Sequence, residues 1–277
     1  MQPRFPCADS IAVVTGGASG IGKALCRELL GRGARCVVAA DVQEDAVAGC
    51  AQDLNARFGM GRCVAAPLDV GCETSVRALI VRVEEEIGPI TAWYSNAGVH
   101  RGSGLGEPSD WELSLKVNLL AHVVAVRHLL PRMLDRRSGH FVITASAAGL
   151  LSDVRSAAYT ASKHAAVAFA EWLAIQHAES GVGIHCICPE AVRTGMTRPT
   201  AATALPKHTV LEADEVARTV LDSLGEGRFL ILPHPRVEEY ERRRVADRPR
   251  WLQAMHVIAT QTQPGSSPPG AQPQPQA

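Results

Sequence analysis

The stretch SIAVVTGGASGIGKALCRELL, residues 10–30, decides how the rest of the chain is read. It opens on a near-continuous apolar run, 10–15. It breaks at Thr15-Gly16-Gly17-Ala18-Ser19-Gly20-Ile21-Gly22 and resumes with Ile21, Leu25 and Leu29 at helical spacing. A strand that feeds a helix through glycines lets the backbone come close to a bulky anion. The glycines permit the tight turn, and the helix start offers free N–H groups and a positive dipole end. The spacing Gly16-x3-Gly20-x-Gly22 is not the GxGxxG fingerprint of dinucleotide sites. The loop therefore points to a diphosphate without naming its bearer.

Working outward, the same alternation recurs. Further strand-like runs are RCVVAA (35–40), RCVAAP (62–67), ITAWYS (90–95), HFVITA (140–145), VGIHCI (182–187) and RFLIL (228–232). Between them lie helical patterns. In 73–87, Val76, Leu79, Ile80, Val83 and Ile87 mark one face, and Gly88-Pro89 ends it. Long Ala-rich helices fit 110–136 and 156–179. Strands spaced by helices imply right-handed crossovers and a parallel sheet, and the continuous apolar runs fit strands covered on both faces. We expect an α/β fold: one doubly wound, Rossmann-type domain over 8–235 with a mostly parallel seven-stranded sheet. A helical extension follows over 236–260, with Trp251, Leu252 and Met255 as packing residues. The Pro- and Gln-rich end, 261–277, is expected to be disordered.

Composition narrows the function. The 277 residues carry 28 basic and 28 acidic side chains, and a formal net charge of zero argues against non-specific attraction to nucleic acid or membrane. No leader or membrane-spanning run is evident, so a cytoplasmic protein is expected. The eight Cys form no CxxC pair and read as small buried hydrophobes. The ten His are scattered without a metal-binding pattern, so no metal is expected.

The cofactor end follows from where strands stop. The second strand ends at Asp41, where a carboxylate can accept hydrogen bonds from an adenosine ribose and would repel a 2′-phosphate. Neighbouring Ala40, Val42 and Gln43 supply no cation. NAD is therefore expected over NADP; the alternative is that Asp41 caps the next helix. The third strand leads to Leu68-Asp69-Val70, where Asp69 can receive an adenine amino group or cap the helix near 73. The fourth ends at Ser95-Asn96-Ala97-Gly98, small residues that leave room for a ligand at the switch point.

Four polar residues fall where chemistry needs them. Ser146 follows the fifth strand. Tyr159 and Lys163, four apart, share a face of one helix. Asn118 sits inside a helix, where Asn is disfavoured. A phenol ionises near ~10, and nearby positive charge stabilises the phenolate. Lys163 supplies such a charge, and an oxidised nicotinamide supplies another. Tyr159 then exchanges the substrate's hydroxyl proton while Ser146 holds its oxygen. Lys163 also grips the nicotinamide ribose, and Asn118 holds a water in a proton relay.

With these residues in view, the chain resembles the short-chain dehydrogenases/reductases in their compact, single-domain form. The resemblance rests on Thr15–Gly22, Asp41, Asp69, Asn96-Ala97-Gly98, Asn118, Ser146 and Tyr159-Thr160-Ala161-Ser162-Lys163, and covers nearly all of 8–235. It implies an oxidoreductase moving a hydride between NAD and an alcohol or ketone. It implies that Pro189, Val192 and Thr194 border the nicotinamide carboxamide, and that the chain forms a homodimer or homotetramer through helices 110–136 and 156–179. Rival readings are an NADP-dependent ketoreductase and a non-catalytic NAD-binding sensor. Two positions depart from the family: Ser95 stands where an Asn is common, and Glu190 where Gly is usual.

Three segments should line the substrate space: His100–Glu107, Leu150–Ser156 and about Gly195–Leu211. Leu150, Leu151, Val154 and Met196 suggest an apolar wall. Arg101, Arg155, Arg193 and Arg198 are candidates to meet an anionic tail, against the alternative of solvated surface charge. The sequence does not name the substrate.

Overall fold

The computed structural model describes residues 1–195 and 210–262. Strand β1 (Ile11–Thr15) is buried along its whole length and enters helix α1 (Gly20–Gly31) through the glycine turn. Then follow β2 (Cys36–Asp41), α2 (Glu44–Phe58), β3 (Cys63–Pro67), α3 (Glu73–Glu86) and β4 (Ala92–Ser95). The second half comprises α4 (Pro108–Leu115), α5 (Ala121–Asp135), β5 (Gly139–Thr144), α6 (Ala157–Gln176), β6 (Val182–Ile187), β7 (Val192–Arg193), β8 (Leu211–Glu212), α7 (Ala213–Gly225) and β9 (Leu230–Ile231). Helices α8 (Arg236–Ala246) and α9 (Arg248–Thr262) close the described chain.

Seven strands form one parallel sheet in the order β3-β2-β1-β4-β5-β6-β9. The chain winds outward from β1 to β3, then crosses back to β4 beside β1, so the switch point lies between the ends of β1 and β4. Alternation along each strand feeds two apolar layers. Val13 and Trp93 face a layer with α3, α5 and α6, and Val14 and Tyr94 face a layer with α1, α2 and α7. With few aromatics, Ala, Val, Leu and Ile fill both layers, as a thin-packed parallel sheet allows.

The helix expected over 110–136 is not uniform. Between α4 and α5, Lys116–Leu120 winds as a π-helical turn centred on Asn118. A π turn inside an α-helix re-aims a side chain at the point where it occurs. The run Pro108–Asp135 is long and apolar enough to cross a membrane by length and composition. It is nonetheless packed in the interior layer, and Ser114, Asn118 and His122 are buried along it. In the C-terminal helices Val237 is buried, and Tyr240 and Trp251 pack on the sheet's apolar layer. Leu252 is instead 61% exposed, so it is not the packing residue expected. The expected tail lies outside the described residues from 263 onward; Gln261 and Thr262 belong to α9.

Candidate active site

The glycine turn, the ends of β2 and β4, and the loop after β6 converge at one end of the sheet. Gly16 holds φ at +67°, and a Cβ there would sit 3.1 Å from the Cα of Ala97. A Cβ on Gly22 would collide with the Gly16 carbonyl. Only glycine fits either place. Ser19 stands at the N-cap of α1 but its side chain makes no cap hydrogen bond, so the first turn's N–H groups are not covered by their own cap. This cradle suits a diphosphate.

Thr15 is buried, and its hydroxyl ties strands together. It accepts from the N–H groups of Asn96 (2.9 Å) and Ala97 (3.0 Å) and donates to the Tyr94 carbonyl at 3.2 Å. The Asn96 side chain donates to the Thr15 carbonyl at 3.0 Å, and the Thr144 hydroxyl donates to its Oδ1 at 3.3 Å. Asp41 reaches into the same region. Its Oδ2 accepts from the Ala18 N–H at 3.2 Å and its Oδ1 from the Gln43 N–H at 3.1 Å, so it joins the glycine turn to the end of β2. Gln43, not Asp41, is the N-cap of α2. Asp69 does not cap α3 either: Cys72 holds that position, and Asp69 instead accepts from the Gly71 N–H at 2.8 Å. Asp69 is exposed and Val70 half-buried beyond the end of β3. Ile21 is half-buried in the first turn of α1.

At the other end of the cleft Ser146, Tyr159 and Lys163 come together. The Ser156 hydroxyl caps α6 by accepting the Tyr159 N–H at 3.2 Å, so Tyr159 falls in the helix's first turn. Tyr159 is half-buried, and Ser146, whose hydroxyl accepts from the Ala148 N–H at 3.1 Å, lies close to its phenol. Burial pushes the phenol above its ordinary value, and the nearby Ser146 side chain opposes this. Lys163 is buried, donates to the Thr144 carbonyl at 2.9 Å, and places Nζ 5.9 Å from the centre of the Tyr159 ring. Burial pulls its ammonium down to about 8. A Cβ on Gly98 would lie 3.4 Å from Lys163 Nζ, so the small residue leaves room for the ammonium.

Asn118 reaches the site from the π turn. Its Oδ1 accepts from the Val99 N–H at 2.8 Å, and its Nδ2 donates to the Val99 carbonyl (2.9 Å) and to Ser162 Oγ (3.0 Å). It is a two-sided clamp on the backbone after β4. Pro189 and Val192 are buried, and the Pro189 carbonyl accepts from the Ala147 N–H at 2.8 Å beside Ser146. Thr194 lies against the glycine turn, since a Cβ on Gly20 would meet its Cγ2 at 3.0 Å.

Reading the residues alone missed two things: the contact of His100 with Tyr159, and buried His122. His100 packs its ring on Tyr159 and bonds Asp153 Oδ2 at 3.1 Å. Burial works against the Asp153 charge, but hydrogen bonds from His100 and Arg155 outweigh it and hold the carboxyl well below the usual carboxylate range. His122, four residues beyond Asn118, is buried; burial, then the Lys163 charge, pulls it down to about 3. Glu190, where the family usually has Gly, turns toward Arg236 on α8. The substrate segments also need correction. Leu150 and Leu151 are buried in the apolar layer and are not a free wall, while Val154 is half-buried. Arg155 is held by Asp153 at 2.7 Å and Arg193 by Glu212 at 2.6 Å, so neither stands ready for an anionic tail. Met196 and Arg198 lie outside the described residues.

A parallel sheet with a glycine-bounded cradle at its switch point, facing a serine, a tyrosine and a lysine, defines a dinucleotide-linked oxidoreductase. Residues 10–204 match the short chain dehydrogenase family. The chain is 38% identical over 229 residues to 1-deoxy-11-beta-hydroxypentalenate dehydrogenase of Streptomyces exfoliatus, covering 79% of this chain and 81% of that protein. It is 35% identical over 191 residues to meso-2,3-butanediol dehydrogenase of Serratia marcescens, covering 68% and 74%. A solved short chain dehydrogenase/reductase from Burkholderia phymatum in complex with NAD superposes with a TM-score of 0.79 at 32% identity, covering 90% of this chain and 96% of that one. The chain belongs to the short-chain dehydrogenase/reductase family, NAD(P)-dependent oxidoreductases that act on CH–OH groups.

Proposed function

We propose that this enzyme interconverts a secondary alcohol and its ketone with NAD as the hydride partner, and that Tyr159 moves the proton. The observation that carries the reading is the placement of a buried Lys163, Nζ 5.9 Å from the centre of the Tyr159 ring, on the helix that faces Ser146. Gly16, Ser19, Gly20, Ile21 and Gly22 would hold the diphosphate, Asp41 the adenosine ribose, Asp69 and Val70 the adenine, and Asn96, Ala97 and Gly98 the inner ribose side. Pro189, Val192 and Thr194 would border the carboxamide. Bound there, the dinucleotide supplies or accepts the hydride.

The protein's own part is proton handling. Ser146 donates a hydrogen bond to the substrate oxygen and keeps it within reach of Tyr159. In oxidation the phenolate takes the hydroxyl proton; in reduction the phenol returns it. Lys163, largely protonated at neutral pH with its value near about 8, stabilises the phenolate electrostatically and is placed to hold the ribose. The Asn118 side chain is engaged by Val99 and Ser162, which supports a positioning role for it. Asp41, with Val42 exposed and uncharged beside it, favours NAD over NADP. Homo-oligomers through α5 and α6 are supported by exposed Trp172 and Ile175 on α6 and by an apolar groove of about 380 Å³ between the two helices.

A panel of secondary alcohols and ketones, followed by nicotinamide absorbance with each cofactor, tests the reading. Tyr159→Phe should bind NADH normally and lose roughly 10²- to 10⁴-fold in turnover, the usual worth of a positioned acid–base group. Wild-type turnover in that variant would remove Tyr159 from the mechanism.

A further inference from the structure

The loop after β6 is held by the start of α8 and the residues just before it. The Arg236 guanidinium meets the Glu190 carboxylate as a fork, Nε to Oε2 at 2.6 Å and Nη2 to Oε1 at 2.7 Å. His234, just before α8, grips the backbone of the same loop from both ring nitrogens. Its Nδ1 accepts the Glu190 N–H at 3.2 Å, and its Nε2 donates to the Ala191 carbonyl at 3.1 Å. These partners assign His234 as the neutral Nε2–H tautomer. The ring is buried, and burial lowers its basicity in the same sense.

Four hydrogen bonds thus converge on two consecutive residues. The Glu190–Arg236 pair is about three-quarters shielded from water, with side chains 25% and 28% exposed. A bidentate, partly desolvated pair fixes orientation as well as distance, which an exposed ion pair does not. The loop it fixes spans the cleft. At one end the Pro189 carbonyl lies beside Ser146, and at the other Thr194 rests on the glycine turn. A glycine at 190 would have no side chain for α8 to hold.

We propose that Glu190 and Arg236, braced by His234, are positioning residues for the cofactor: α8 sets how residues 189–194 lie over the dinucleotide, and so sets its affinity. The inference rests on the assignment of Pro189, Val192 and Thr194 to the cofactor border. It explains why an acid is tolerated beside a nicotinamide site, since the carboxylate is turned away and neutralised.

The test is NADH titration by fluorescence on the full-length protein, with steady-state kinetics on whichever alcohol the panel selects. Glu190→Gln keeps the side chain's size and removes its charge; Arg236→Ala removes the fork, and Arg236→Lys keeps charge without the fork. Glu190→Gln and Arg236→Ala should each raise the NADH Kd and cofactor KM about tenfold, the loss of roughly one charge-assisted hydrogen bond's worth of binding, with kcat at saturating cofactor within about twofold. Arg236→Lys should fall between. The double variant Glu190→Gln/Arg236→Ala should bind no worse than either single one, because both break the same pair. If Arg236→Ala does not fold, Glu190→Gln decides alone. An unchanged NADH Kd, with only the melting temperature of the cofactor-free protein lowered, would make the pair merely structural and overturn the inference. Failure of the wild type to bind NADH would overturn the functional reading, and this inference with it.

Discussion

The imidazole of His100 lies against the phenol ring of Tyr159, ring centres 4.5 Å apart and planes tilted by 41°. His100 is held on two sides. Asn118 clamps the preceding residue, Val99, and Asp153 holds Nε2 at 3.1 Å. Asp153 in turn is fixed by Arg155 and by the Thr160 hydroxyl, which accepts its N–H at 2.9 Å. The ring that faces Tyr159 is therefore set by residues from three separate parts of the chain.

Removing this ring should loosen Tyr159. His100→Ala is expected to lower kcat/KM for the alcohol about ten- to a hundredfold, the scale of effect seen when a reacting group is slightly misplaced. His100→Phe, which keeps a ring there, should lose less. NADH affinity should hold in both. Equal activity of His100→Ala and wild type would show that the ring contact is not used.

Cofactor choice should move with Asp41. The variant Asp41→Ala/Val42→Arg removes the carboxylate that repels a 2′-phosphate and adds a cation at an exposed position. It should favour NADP over NAD by kcat/KM, reversing the wild-type order. If both forms show the same preference, the carboxylate does not select the cofactor.

Acid should destabilise the fold through buried histidines. His140 Nδ1 and His185 Nε2 are 3.1 Å apart between β5 and β6, and His185 Nδ1 donates to the Arg228 carbonyl at 2.6 Å. Burial pulls His140 down to about 3, aided by repulsion from His185, and pulls His185 down to about 4. The folded protein keeps both neutral, whereas the unfolded chain takes up protons below about 6.5. This contribution to stability is complete above that pH. It is lost as pH falls, at about 1.4 kcal/mol per pH unit for each such histidine until the folded values are reached. Urea titrations at pH 7.5, 6.5, 5.5 and 5.0 should show stability falling between the last three. A flat profile there would refute the assignment.

The oligomer should depend on Trp172. This residue is 55% exposed on α6, and Ile175, one turn on, is 73% exposed. Trp172→Glu places a charge on the apolar groove shared with Phe169 and Leu130. Light scattering after size exclusion should show a dimer or tetramer for wild type and a smaller species for the variant. A wild type that is monomeric at micromolar concentration would rule out the assembly.

What can be read without coordinates is local. The strand-to-helix turn at Thr15–Gly22 declares itself because its glycines and apolar runs are consecutive. Tyr159 and Lys163 share a face because four residues make about one helical turn. Strand succession, spaced by helices, was enough for a parallel doubly wound sheet, since crossovers of that length have one hand. Helix α7 is legible too, from Val216, Val220 and Leu224 at helical spacing.

What only the tertiary structure decided concerns pairs far apart in the chain. His100 meets Asp153 across 53 residues, and Glu190 meets Arg236 across 46. Neither spacing has a period that a sequence pattern can show. Leu150 and Leu151 looked like a cleft wall because they are apolar and follow Ser146, but the short turn at Ala147–Gly149 aims them inward. Periodicity fixes which face of an element a side chain occupies. Which other element that face meets depends on sheet order, register and helix docking, and those are settled by the packing of the whole chain at once.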